Sequence, residues 1–341
     1  MYSFIPPSLL ASRNLGVVAI ALGALALTAC SMDGPPGGIG GFPPPPETSS
    51  APARVISSGS TQGIGCDYSY SALNPSASVK AVSEARWTCS TTQRILSANG
   101  VPDHEVGTFP NPGNPNRIKA QQVSARFTLS PSLTDRATRL GGPAGVIGLL
   151  LNGVKIDAGT NGGCSDTGVC DPGRPAGAWR MEALGQSSFD FGVDNNNAHV
   201  QPGGAYHYHG MPEAFAAQQG KGKAMTLIGW AADGFPIYAR FGYSVANDAQ
   251  SSIKVIEGSY RLKATPDANR PPVSVYPMGA FEQDHEYVAG LGDLDECNGR
   301  TGATPEFPEG IYHYFATDTY PYFQRCVKGQ VIVAARPSRP S

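Results

Sequence analysis

Ile147-Gly148-Leu149-Leu150-Leu151-Asn152-Gly153-Val154-Lys155-Ile156 sets an Asn-Gly pair between two apolar runs. That is the strongest short-range hairpin signal, because both residues tolerate the positive φ that a tight turn needs. Asp233-Gly234 holds the same place in Leu227-Ile228-Gly229-Trp230-Ala231-Ala232-Asp233-Gly234-Phe235-Pro236-Ile237-Tyr238. Pro236 brings no N–H, so its strand is expected at an edge or beside a bulge. Further strands are expected at 125–129 and 330–334. With 42 glycines and 30 prolines the chain is punctuated too often for many long helices. Short helices are expected near 212–219 and around Ser83. The reading is a mainly β chain: one large antiparallel, sandwich-like domain over residues 61–335 with few short helices, and a tail at 336–341.

The residues before it read differently. Arg13 precedes the apolar run Leu15-Gly16-Val17-Val18-Ala19-Ile20-Ala21-Leu22-Gly23-Ala24-Leu25-Ala26-Leu27, which reads as an export signal over residues 1–29. The run falls short of the roughly 20 residues that span a bilayer. Leu27-Thr28-Ala29-Cys30 resembles a bacterial lipobox, which implies that Cys30 is acylated and begins the mature protein. Ser31, rather than Asp, follows, and by the same resemblance this favours the outer membrane. An uncleaved anchor and ordinary signal cleavage are the alternatives. Residues 30–60 are rich in Pro and Gly, a composition suited to a disordered tether and not to a core.

Of seven cysteines, lipidation of Cys30 leaves Cys66, Cys89, Cys164, Cys170, Cys297 and Cys326 for disulfides in an oxidising compartment. Nearest-neighbour pairing is expected, since short loops close at least entropic cost. No Cys-x-x-Cys pair suggests a thiolate metal site. Charged residues make up 15% of the chain and the net charge is −2, with no Lys/Arg run, which argues against nucleic acid as a partner.

Ala205-Tyr206-His207-Tyr208-His209-Gly210 places two of six histidines two residues apart. On a strand, with a rise of about 3.3 Å per residue, both imidazoles share one face and both tyrosines the other. A metal site needs further ligands. His199 lies across a Pro202-Gly203-Gly204 turn that folds the chain back. His313 joins if Ile311-Tyr312-His313-Tyr314-Phe315 lies beside the first Tyr-His-Tyr strand. That echo also raises the question of two similar β units, with chance recurrence of strand residues as the alternative. The loop Asp194-Asn195-Asn196-Asn197 offers an oxygen ligand or support for a ring N–H. Imidazole with carboxylate, tyrosine and Met211 suits copper or zinc, with copper favoured because divalent affinity rises to copper. Ordinary core packing of the histidines is the competing reading.

Other signals are weaker. Gly292-Asp293-Leu294-Asp295-Glu296-Cys297-Asn298-Gly299 misses the calcium-loop spacing and reads as a disulfide-pinned turn. His104 and His285 read as surface histidines. A cupin-type barrel fits His207, His209 and Glu213 only in part, because no second metal motif follows. There is no Gly-x-Ser-x-Gly elbow and no phosphate loop, so chemistry, if any, belongs to the metal.

The segment around Tyr206-His207-Tyr208-His209 resembles the signature of the bacterial YHYH protein family. Asn99-Gly100-Val101-Pro102-Asp103-His104, Phe109-Pro110-Asn111, Ala232-Asp233-Gly234-Phe235-Pro236-Ile237-Tyr238 and the run from Gly292 into Tyr312-His313-Tyr314 extend the likeness over about residues 95–330. The resemblance implies an exported domain and names no reaction. The expectation is a cell-envelope lipoprotein that binds or handles a transition metal through His207, His209, His199 and His313. The alternatives are a hydrolytic or oxidative metalloenzyme with Asp233 or Glu296 as acid or base, and a surface interaction module with structural histidines.

Overall fold

The computed structural model describes residues 65–142 and 145–331. The signal, Cys30, the tether, the tail and most of the strand expected at 330–334 lie outside the described residues. The last strand among the described residues ends at Gly329.

Four strands open the domain: β1 (Ser69–Leu73), β2 (Val82–Cys89), β3 (Gln93–Ala98) and β4 (Val123–Thr128), antiparallel in that order. The helix expected around Ser83 is therefore a strand. Burial alternates strictly along the start of β2, with Ser83, Ala85 and Trp87 inward, but two of these are small or polar, which hides the period-2 pattern in the sequence. β5 (Leu133–Arg139) follows and pairs with the last strand.

The main sheet begins with the Asn-Gly hairpin, β6 (Gly148–Leu150) and β7 (Lys155–Ile156), with Gly153 at φ +77° in the turn. A crossover then carries β8 (Gly163–Cys164), β9 (Cys170–Asp171) and β10 (Trp179–Arg180). β11 (Ala198–Val200) and β12 (Tyr206–Tyr208) come next, then α1 (Glu213–Gln218), as expected near 212–219. The Asp-Gly hairpin forms β13 (Leu227–Ala231) and β14 (Pro236–Tyr238), with Gly234 at φ +90°. β15 (Phe241–Tyr243) pairs with β16 (Ile253–Val255), and β17 (Tyr260–Leu262) with β18 (His285–Tyr287). The second Tyr-His-Tyr segment is in β20 (Ile311–Phe315), paired with β19 (Gly299–Gly302), and β21 (Cys326–Gly329) closes the fold.

Strand order in the eight-stranded sheet is β11-β12-β7-β6-β13-β14-β20-β19. Each hairpin accepts a Tyr-His-Tyr strand in parallel: β12 beside β7, and β20 beside β14. The sheet is therefore mixed rather than wholly antiparallel, because each Tyr-His-Tyr strand returns only after a long crossover. The edge expected at Pro236 is also corrected. β14 is internal, and Pro236 is its first residue, so the missing N–H falls before the parallel ladder starts at Ile237. A bulge does accompany it, between Leu227 and Gly229 on β13.

The four-stranded sheet covers one part of the large one, giving the sandwich-like core. Trp87 donates its indole N–H to the Leu151 carbonyl at 2.8 Å, and Tyr70 its hydroxyl to the Asn152 carbonyl. Trp87, Phe127, Leu149, Ile156, Tyr206, Tyr208, Trp230, Ile237 and Tyr314 share this core. A smaller core gathers Trp179, Met181, Phe191 and Phe281 under the crossover. Three disulfides join nearest neighbours, Cys66–Cys89, Cys164–Cys170 and Cys297–Cys326.

Glu182, which follows β10, meets Arg325, beside the third disulfide, in a bidentate pair at 2.9 and 3.1 Å. Both side chains are buried, and the carboxylate strengthens the hold of the guanidinium on its charge. Removing one partner strands the other charge away from water. Glu182→Ala should therefore lower unfolding free energy by about 3–5 kcal/mol, measured by urea denaturation of the oxidised protein; a loss below about 1 kcal/mol would show that the pair is not a fold determinant.

Candidate metal centre

His199 lies directly opposite His207 across the β11–β12 ladder. His209 follows two residues later, so strand periodicity keeps it on the face of His207. The Pro202-Gly203-Gly204 turn makes this possible: Gly203 and Gly204 have φ near +98° and +95°, a conformation that costs a side-chain-bearing residue dearly. Ring centroids stand 4.6 Å apart for His199 and His207, 4.7 Å for His199 and His209, and 4.7 Å for His207 and His209. Each ring offers a ligand nitrogen, and these atoms lie within 4.8 Å of one another.

Backbone carbonyls orient the rings. Nδ1 of His199 donates to the Phe191 carbonyl at 2.7 Å, which leaves the lone pair on Nε2. That Nε2 faces Nε2 of His209 at 3.0 Å. A tetrahedral ion with metal–nitrogen bonds of about 2.0–2.1 Å sets its ligands about 3.3 Å apart, so this pair stands near ligand spacing. Nδ1 of His207 faces the Ala205 carbonyl at 3.3 Å. Burial holds the pKa of His207 and His209 well below the ordinary histidine value and lowers that of His199. Neighbouring positive charge adds to the effect at His207, from Lys155, and at His209, from Arg325 and Lys155. Neutral imidazole is the ligating form, so the residues present fit a metal ion.

The triad opens into a cleft of about 530 Å³. Asn114, Asn161, Thr160 and Asp157 line it with amide, hydroxyl and carboxylate groups. Asp157 accepts from Lys155 at 3.0 Å and from the Gly142 N–H at 2.6 Å. Asn114 and Asn116 both donate to the Val200 carbonyl and so brace β11. These residues escaped the sequence reading because they come from distant loops; only Asp157, directly after the first hairpin, carried a positional hint.

The tyrosines face the other way, as the alternation requires. Tyr206 donates to Asp194 at 2.8 Å, and Tyr208 meets both His104 and Asn152. Asp194 thus supports β12 from behind and is no ligand: its Oδ2 also accepts from Gly107. His104 is buried rather than on the surface, because it fills the space behind Tyr208. His285 is half-buried and stacks on Tyr320 with ring centroids 3.7 Å apart. Met211 sits in the main core.

His313 does not join the triad. Four strands separate β12 from β20, about 24 Å along the sheet at roughly 4.8 Å per step. Its ring packs against Tyr238 and Phe315 instead. The two acid–base candidates are elsewhere too. Asp233 is buried in the second hairpin turn, accepting from Tyr314 at 2.7 Å and Gly329 at 2.8 Å. Glu296 pairs with Lys328. The Gly292–Gly299 segment is a pinned turn, in which Asp295 accepts from the N–H groups of Cys297 and Gly299.

Asn197 governs the position of His209. It holds φ at +53°, its carbonyl accepts from His209 N–H at 2.8 Å, and its amide donates to the Met211 carbonyl. Asn197→Ala should cost about 1–2 kcal/mol for the left-handed conformation and loosen His209, while Asn197→Gly should cost less. Equal melting temperatures for the two variants would show that backbone strain is not what Asn197 relieves.

Neither curated proteins nor solved structures gave a match. A family model described as YHYH protein does match, over residues 124–329, from β4 through the triad to the end of β21. With that span covering more than half the chain, the protein belongs to the YHYH family.

Proposed function

We propose that this chain is a cell-envelope lipoprotein that binds one transition-metal ion, copper or zinc, through His199, His207 and His209. The observation that carries the reading is the meeting of two buried imidazoles and one half-buried one, with their ligand nitrogens within 4.8 Å of one another, at the wall of a cleft. Copper is favoured on affinity order among divalent ions. Periplasmically folded protein should carry about one metal ion per chain by elemental analysis, and His207→Ala/His209→Ala should carry none. No metal in the parent, or equal metal in both, would leave the histidines structural and favour an interaction module.

A metalloenzyme is the second reading, supported by the cleft. Three protein ligands facing a cleft match the ligand number of catalytic rather than structural zinc. A bound ion would supply Lewis-acid or water-activating chemistry. Asp157, on the cleft wall, replaces Asp233 and Glu296 as the carboxylate available there. Turnover of ester, phosphate and phenol panels by metal-loaded protein, lost in His209→Ala, separates catalysis from metal handling.

The membrane anchor rests on Leu27-Thr28-Ala29-Cys30 and the apolar run before it. Palmitate should label the full-length chain expressed in a bacterial host and should not label Cys30→Ala; an unlabelled parent overturns the anchor.

A further inference from the structure

We infer that the domain is two fused copies of one β unit, and that the Tyr312-His313-Tyr314 centre is the counterpart of the metal triad, with Arg300 and Phe315 in the places of His199 and His209. The inference rests on the metal reading of the first centre.

The palindromic strand order is the first observation. An axis between β6 and β13 exchanges β6 with β13, β7 with β14, β12 with β20 and β11 with β19, and preserves the parallel or antiparallel sense of every pairing. At the axis the bonds are reciprocal: Leu151 N–H donates to the Ile228 carbonyl, and Ala232 N–H to the Ile147 carbonyl. The register then aligns Gly148 with Gly229, Ile156 with Ile237, and Asn152-Gly153 with Asp233-Gly234.

Polar details repeat as well, which general β propensity does not explain. Asp194 and Asp295 each accept a hydrogen bond from the first tyrosine of their motif, Tyr206 and Tyr312. Asn197 and Asn298 each follow three residues later, at φ +53° and +58°. Their carbonyls accept from His209 N–H and Phe315 N–H respectively. The second motif tyrosines also match: Tyr208 meets Asn152, and Tyr314 meets Asp233, at the same position of the two hairpin turns.

This alignment assigns the ligand positions. His199 faces His207 across its ladder as Arg300 faces His313. His209 stands 4.7 Å from both partner rings, and Phe315 stands 5.1 Å from His313 with the Arg300 guanidinium 5.3 Å from its ring. Asp157 corresponds to Tyr238, the residues that follow the aligned Ile156 and Ile237. In the second copy a fixed cation and a hydrocarbon ring thus stand where the first has two imidazoles. Arg300 donates to the Tyr243 carbonyl, so β15 lies over this centre where the first opens into its cleft. Nε2 of the buried His313 has no hydrogen-bond partner among the described residues, as expected of a ring that has kept its place but lost its ion.

Grafting tests the assignment. Arg300→His/Phe315→His should raise copper or zinc content from one to two ions per chain, and in the His207→Ala/His209→Ala background from none to one. The reverse graft, His199→Arg/His209→Phe, should abolish metal and melt within about 3 °C of metal-free parent, a difference below roughly 1 kcal/mol. Its transposed control, His199→Phe/His209→Arg, should melt lower. A folded Arg300→His/Phe315→His protein with unchanged metal overturns the inference, as does failure of both grafts to fold by near-ultraviolet circular dichroism. Absence of metal in the parent overturns the metal reading of both centres, and the reverse graft against its transposed control then decides the structural equivalence alone.

Discussion

The antiparallel contact between β6 and β13 is the constraint on which the rest of the domain depends. Gly148 and Gly229 lie there, and neither can carry a side chain: a Cβ on Gly229 would stand 2.5 Å from the Leu149 carbonyl oxygen, and one on Gly148 would stand 2.7 Å from that of Trp230. The two hairpins are thereby brought back to back, with their outer strands exposed as templates on either side. Each template recruits a Tyr-His-Tyr strand in parallel, and each recruited strand adds one antiparallel neighbour. The positions of all three triad histidines follow from that arrangement.

The candidate metal centre combines two opposed demands. Its imidazoles must be dry enough to remain neutral, yet must have their lone pairs directed at a shared point. Burial meets the first demand, since the charged form of each ring is penalised. Carbonyls at Phe191 and Ala205 serve the second by engaging Nδ1. Behind the strand, Tyr206 and Tyr208 are anchored in turn by Asp194, His104 and Asn152. The face that would hold the ion is thus backed by a layer of satisfied hydrogen bonds, which limits how far the rings can drift.

Much of this was legible in the sequence where the signal was local. Asn152-Gly153 and Asp233-Gly234 marked both hairpins because turn chemistry acts over a few residues. His199 was found through the glycine turn that returns it to His207. Where small or polar residues take inward positions, as Ser83 and Ala85 do in β2, the alternation is hidden in the sequence and a strand reads as a helix. His104 is hidden for a similar reason: a polar-looking loop segment gives no sign that the fold closes over it.

The sequence by itself determined the β class, the two hairpins and the His199, His207 and His209 grouping, because each rests on interactions between residues close along the chain or on side-chain alternation, whereas the cysteine pairing was only favoured there and was decided by the fold. Only the tertiary structure decided which Tyr-His-Tyr strand sits beside which hairpin. Parallel pairing joins segments some 50 or more residues apart through crossovers whose path no local pattern specifies. That long-range choice moved His313 to the far half of the sheet, brought Asp157 to the wall of the triad's cleft, and placed Arg300 and Phe315 where the second copy would otherwise carry ligands.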